Sequence, residues 1–70
     1  MRYLVIFEKT DTGYGAYAPD LPGCVATGRT REEAAGHMKE AISLHIESLR
    51  KHGEAVPPPS TTEACFIEAA

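Results

Sequence analysis

Three histidines and ten acidic side chains are the groups with which this 70-residue chain could do acid–base or metal chemistry. His37, His45 and His52 fall in one helical stretch spread over fifteen positions, about 22 Å at ~1.5 Å rise per residue. Metal ligands must stand about 2 Å from a common ion, so the three cannot share one within a single chain, and no cofactor is expected. His45 lies on the apolar stripe of that helix and reads as a packed core or interface histidine. Two-metal phosphodiester cleavage needs several carboxylates converging on strand ends. Here Glu8 alone ends the first apolar segment, with Asp11 in the turn that follows. The chain carries no Ser-His-Asp spacing, no glycine-rich phosphate loop and no C-x-x-C pair. A binding protein is expected, not an enzyme.

Cys24 and Cys65 read as unpaired thiols of a reducing cytoplasm, where a small buried cysteine behaves as a hydrophobe. The apolar run Tyr3 to Phe7 is too short for a signal core or a membrane span. A formal net charge of −3 argues against direct contact with nucleic acid, whose phosphates call for lysine and arginine. A basic protein partner fits that charge better.

The elements that position these groups are written most tightly between Tyr17 and Ala34. Pro19 and Pro22 each fix φ and remove a backbone donor, and Gly23 accepts the φ that other residues resist, so a sharp turn is predicted there. Asp20, between the prolines, is placed to cap a turn amide. Thr30 and Glu33 form a T-x-x-E capping box, which predicts a helix from residue 31. Its apolar positions Ala34, Ala35, Met38, Ala41, Ile42, Ile46 and Leu49 recur at three- and four-residue steps, and Gly53 stands where a left-handed residue closes the last turn.

Upstream, residues 2–8 and 14–18 read as an antiparallel hairpin across the turn Lys9–Gly13, with a bulge at Gly15, and residues 24–28 as a third strand. Beyond Pro57-Pro58-Pro59, a stiff spacer, residues 63–69 read as a short last strand returning to the sheet. The predicted fold is α+β: an antiparallel three-stranded meander, one long amphipathic helix and a final strand, in the order β-β-β-α-β, as a single domain over residues 1–70. Leu4 and Ile6 project to one side of the first strand and Tyr3, Val5 and Phe7 to the other. One helix cannot cover both sides. With so thin a core, a homodimer or homotetramer is expected, and Tyr3, Val5 and Phe7 are its candidate interface.

The motif Y-x-P-D-L-P-G-C-x-x-x-G-x-T-x-E-E-A, from Tyr17 to Ala34, resembles the signature of the HicB-like antitoxin family. The flanks agree: an apolar first strand followed by Asp11-Thr12-Gly13-Tyr14, a helix containing Ala41, and Val56-Pro57-Pro58-Pro59-Ser60. The resemblance implies a degenerate ribonuclease H-like or double-stranded-RNA-binding-like domain that neutralises a HicA-type ribonuclease toxin. It also points to the corner residues Tyr17, Asp20, Leu21 and Pro22 as partner contacts. Many family members continue into a DNA-binding segment; with the sequence ending at Ala70, operator binding is not expected. The alternative reading is a homo-oligomeric structural or regulatory module with a different protein partner.

Overall fold

The computed structural model describes residues 1–69. Three strands, β1 (Ile6–Lys9), β2 (Tyr14–Tyr17) and β3 (Val25–Gly28), form one antiparallel sheet in the order β1-β2-β3, followed by a single helix, α1 (Arg31–Lys51). This is the predicted α+β meander and helix. The ladder is uninterrupted at Gly15, which pairs with Glu8 on one side and Thr27 on the other, so the expected bulge is absent.

β1 begins later than residue 2, and the cause lies in its partner. Ile6 stands opposite Tyr17, after which Pro19 and the corner carry β2 away, leaving residues 2–5 nothing to pair with. The final strand is also corrected: residues 54–69 carry no helix or strand, and Phe66 is 106% exposed and Ile67 84%. A strand pattern needs an edge to join, and within the single chain this segment pairs with neither edge of the sheet.

The register sorts side chains into two faces. Phe7, Ala16 and Ala26 stand in one row facing α1, with Ala16 buried and the other two packed against the core. Ile6, Tyr17 and Val25 form the adjacent row on the opposite face, which no element covers; Tyr17 is 38% exposed and Val25 65%. The core is small: Ala16, Ala18, Leu21, Cys24 and Met38, flanked by half-buried Tyr3, Val5, Phe7 and Ile42.

Both ends of α1 are capped by local sequence. Thr30 is extended (φ −122°, ψ 164°), and its hydroxyl accepts from the Glu33 amide at 3.0 Å. The Glu33 carboxylate reaches back to the Arg29 amide at 3.4 Å, one residue before the N-cap amide that a standard capping box would use. At the other end the Glu54 amide donates to Leu49 O and the Gly53 amide to Arg50 O, with Gly53 at φ 68°, a Schellman closure. Gly28 lets the start of α1 sit directly on β3: a Cβ there would overlap the Ala34 nitrogen and lie 2.9 Å from its Cα.

Candidate functional site

The corner between β2 and β3 is two β-turns in series. The Leu21 amide donates to Ala18 O and the Cys24 amide to Leu21 O, each at 3.0 Å, while the Ala18 amide closes on Cys24 O at 3.3 Å. Pro19 and Pro22 both occupy the second position of their turns, where φ near −65° is wanted and no donor is needed. Gly23 at φ 84° takes the third position of the second turn, which only a left-handed residue fills without strain. The corner therefore satisfies its own backbone and projects Pro19, Pro22 and Gly23 outward.

Leu21, shared by the two turns, points inward and is fully enclosed. That removes its side chain from any surface this conformation presents. Cys24 is buried beside it, which pushes its thiol up from the ordinary value and leaves it an unreactive core group. Both cysteines are free, Cys65 in solvent.

Asp20 does not cap its own turn. Its carboxylate accepts from the Thr61 amide at 2.8 Å, the Thr61 hydroxyl at 2.9 Å and the Ser60 hydroxyl at 3.0 Å, forty residues along the chain. These bonds, the Thr61 amide foremost, hold its carboxyl below the ordinary carboxylate value. With the Tyr3 hydroxyl donating to Pro57 O at 2.6 Å, the proline spacer is fastened across the end of the sheet. The two proline clusters are thus bound to each other through one carboxylate, a link that nothing in the spacing of the sequence announces.

Tyr17 and Tyr14 project to opposite faces, as their three-residue separation requires; Tyr17 joins the open row, and Tyr14 lies on the α1 side. Glu8 stands on the open face in the row beside Ile6. Tyr3, Val5 and Phe7 are not on that face. They turn toward α1, half-buried, with the Arg31 guanidinium 4.6 Å above the Phe7 ring.

The histidines are dispersed. His37 Nδ1 bonds Thr27 O at 2.7 Å, tying α1 to the edge of β3, and His52 Nδ1 bonds Ser48 O at 2.8 Å within the helix end. His45 is half-buried. Among the described residues no three His, Cys, Asp or Glu side chains are grouped to hold a metal ion, and no helix is long and apolar enough to cross a membrane. What the site offers is a rigid corner beside an uncovered apolar row with an acidic neighbour. Such a surface is suited to binding another protein.

Residues 3–69 match the family described as the HicB-like antitoxin of bacterial toxin-antitoxin systems. A UPF0150 protein of Thermoplasma acidophilum is 45% identical over 64 residues, covering 90% of this chain and 93% of that protein. Antitoxin HicB 2 of Photorhabdus laumondii is 35% identical over 68 residues, covering 97% of this chain and 49% of its own length, so the chain spans about half of that antitoxin. In the solved HicA3 and HicB3 toxin-antitoxin complex, one chain superposes with a TM-score of 0.74 at 36% identity, over 83% of this chain and 69% of that one. With the family match running over nearly the whole chain and the fold shared with a chain of that complex, this chain belongs to the HicB-like antitoxin family.

Proposed function

We propose that this chain is a non-enzymatic, cytoplasmic antitoxin domain that binds a HicA-type ribonuclease toxin and occludes its RNA-binding and catalytic face. The observation that carries the reading is the likeness, at 36% identity and TM-score 0.74, to a chain from a HicA–HicB complex. The contact surface is the uncovered row Ile6, Tyr17 and Val25, continued by Pro22 at the corner, with Asp20 clasping Ser60 and Thr61 beside it. Apolar burial on that row supplies the affinity, while Glu8 and the net charge of −3 speed encounter with a basic toxin and reject acidic partners.

Self-association as a homodimer or homotetramer belongs to the same reading. The second function considered, a homo-oligomeric regulatory module with another protein target, is favoured by one observation: the half-open seam between β1 and α1, lined by Tyr3, Val5 and Phe7.

The test mixes the purified chain with the HicA-type toxin of the same genome and follows RNA cleavage. Stoichiometric arrest of cleavage with co-elution on size exclusion is the expected result. Continued cleavage with no complex removes the toxin reading and leaves the second one standing.

A further inference from the structure

Phe66 and Ile67 are the most exposed large apolar side chains among the described residues. They sit at the centre of Glu63 to Ala69, a segment whose composition is that of a strand yet which pairs with nothing. The chain is fastened as far as Thr61 by Asp20, and no hydrogen bond among the described residues holds it beyond that point. The cost shows in the overall dimensions. The radius of gyration is 13.3 Å, against about 11 Å for a compact 70-residue chain. The exposed area is 5567 Å², against roughly 4,300 Å² for a compact protein of 7.6 kDa. The excess, about 1,300 Å², exceeds the ~800 Å² that each partner contributes to a standard interface.

The same molecule carries a matching vacancy. α1 lies over β3 and β2 and barely over β1, whose outer edge has no neighbouring strand. Between that edge and the helix runs an apolar groove walled by Val5 and Phe7 on one side and by Ala35, Met38 and Ile42 on the other, with a volume of about 220 Å³. Lys39 lines it and Arg31 stands over Phe7. The arm presents the opposite charge, Glu63 and Glu68, at either end of its apolar centre.

We propose that residues 63–69 of one copy add as a fourth strand to the outer edge of β1 in a second copy, and that the exchange is reciprocal in a two-fold dimer. An extended arm sends Ala64 and Phe66 one way and Cys65 and Ile67 the other. One pair enters the groove under α1, and the other extends the open face beside Ile6. The strand's amides satisfy the β1 edge, which would otherwise template uncontrolled association. The arm's own groove is not its target here: the chain passes Thr62 alongside Met1 to Leu4 and leaves the sheet with Phe66 and Ile67 in solvent. This deepens the self-association named above and does not depend on toxin binding.

The test compares the wild-type chain with the double variant Phe66→Glu, Ile67→Glu by light scattering at tens of micromolar. Both positions are solvent-exposed in the single copy, so the variant keeps its core, and an unchanged helical circular dichroism spectrum verifies folding. The wild type is expected at about twice 7.6 kDa and the variant at 7.6 kDa. In a sample mixing labelled and unlabelled copies, NOEs between the Phe66 ring and the Val5 and Ile42 methyls are expected to cross between molecules. A monomeric wild type, a variant that stays dimeric, or the same NOEs arising only within one molecule would each overturn the proposal. Toxin inhibition is scored separately on the variant, so loss of the dimer and loss of the toxin reading remain distinguishable.

Discussion

The corner at Ala18–Cys24 and the arm after Pro57 both follow prolines with a short apolar segment, yet one is the most self-contained part of the molecule and the other the least. The corner closes its hydrogen bonds over three to six residues and buries Leu21 and Cys24 directly beneath itself. The arm depends on a carboxylate forty residues away for its anchorage and leaves Phe66 uncovered. Local chemistry completes a turn without help, whereas a strand pattern is a request for a partner that sequence alone does not supply.

The largest expected contrast between the two regions comes from truncating their apolar anchors. Leu21→Ala removes a fully enclosed side chain and is expected to cost about 2–5 kcal/mol. That is a large share of the roughly 4–10 kcal/mol available to a chain of this size, so urea denaturation should find the variant at the edge of unfolding. Phe66→Ala, measured at dilution where the chain is monomeric, should move stability by no more than about 0.5 kcal/mol. Comparable losses at both positions would erase the distinction.

Backbone geometry gives the next effect. Gly23→Ala forces a Cβ into φ 84° and is expected to cost about 1–2 kcal/mol, read as a lower midpoint with unchanged slope in denaturant. Thr30→Ala removes the hydroxyl that accepts from the Glu33 amide and should cost about 1 kcal/mol, with fraying of the first turn of α1 seen in amide exchange.

These two sites belong to the part of the fold that is legible in the sequence. Prolines at the second position of each turn, a glycine at the third, the Thr30 cap and Gly53 act over six residues or fewer and take the places their chemistry dictates, while the Glu33 half of the capping box reaches one residue further back, to Arg29. The start of β1 and the course of residues 63–69 are not legible locally, because both depend on where another segment ends. The seating of α1 on β3 at Gly28 also involves two elements, although a glycine two residues before the N-cap is its trace in the sequence. The Asp20–Thr61 clasp and the His37–Thr27 bond join segments by long-range approach and left no local trace.

The smallest effect expected on global stability, and the most informative about the arm, is at Asp20. Its carboxyl titrates below the ordinary value of 3.8 because the charged form accepts from Thr61 and Ser60. The stability it contributes is therefore fully present above that value and is lost as pH falls through the lowered one. Acidification through that lowered value, below the ordinary carboxylate range, should release the Thr61 amide to exchange while the α1 amides stay protected. Asp20→Asn should weaken that protection at neutral pH, without a comparable change in the denaturation midpoint.

The central claim is that the uncovered sheet face and its corner are a toxin-binding surface. Adding the HicA-type toxin to the isotope-labelled chain and following its amide resonances tests this most directly. The account predicts shifts concentrated at Ile6, Tyr17, Gly23 and Val25, saturating at a fixed stoichiometry. Resonances that stay in place, or shifts confined to the solvent side of α1 around Glu40 and Leu44, would contradict it.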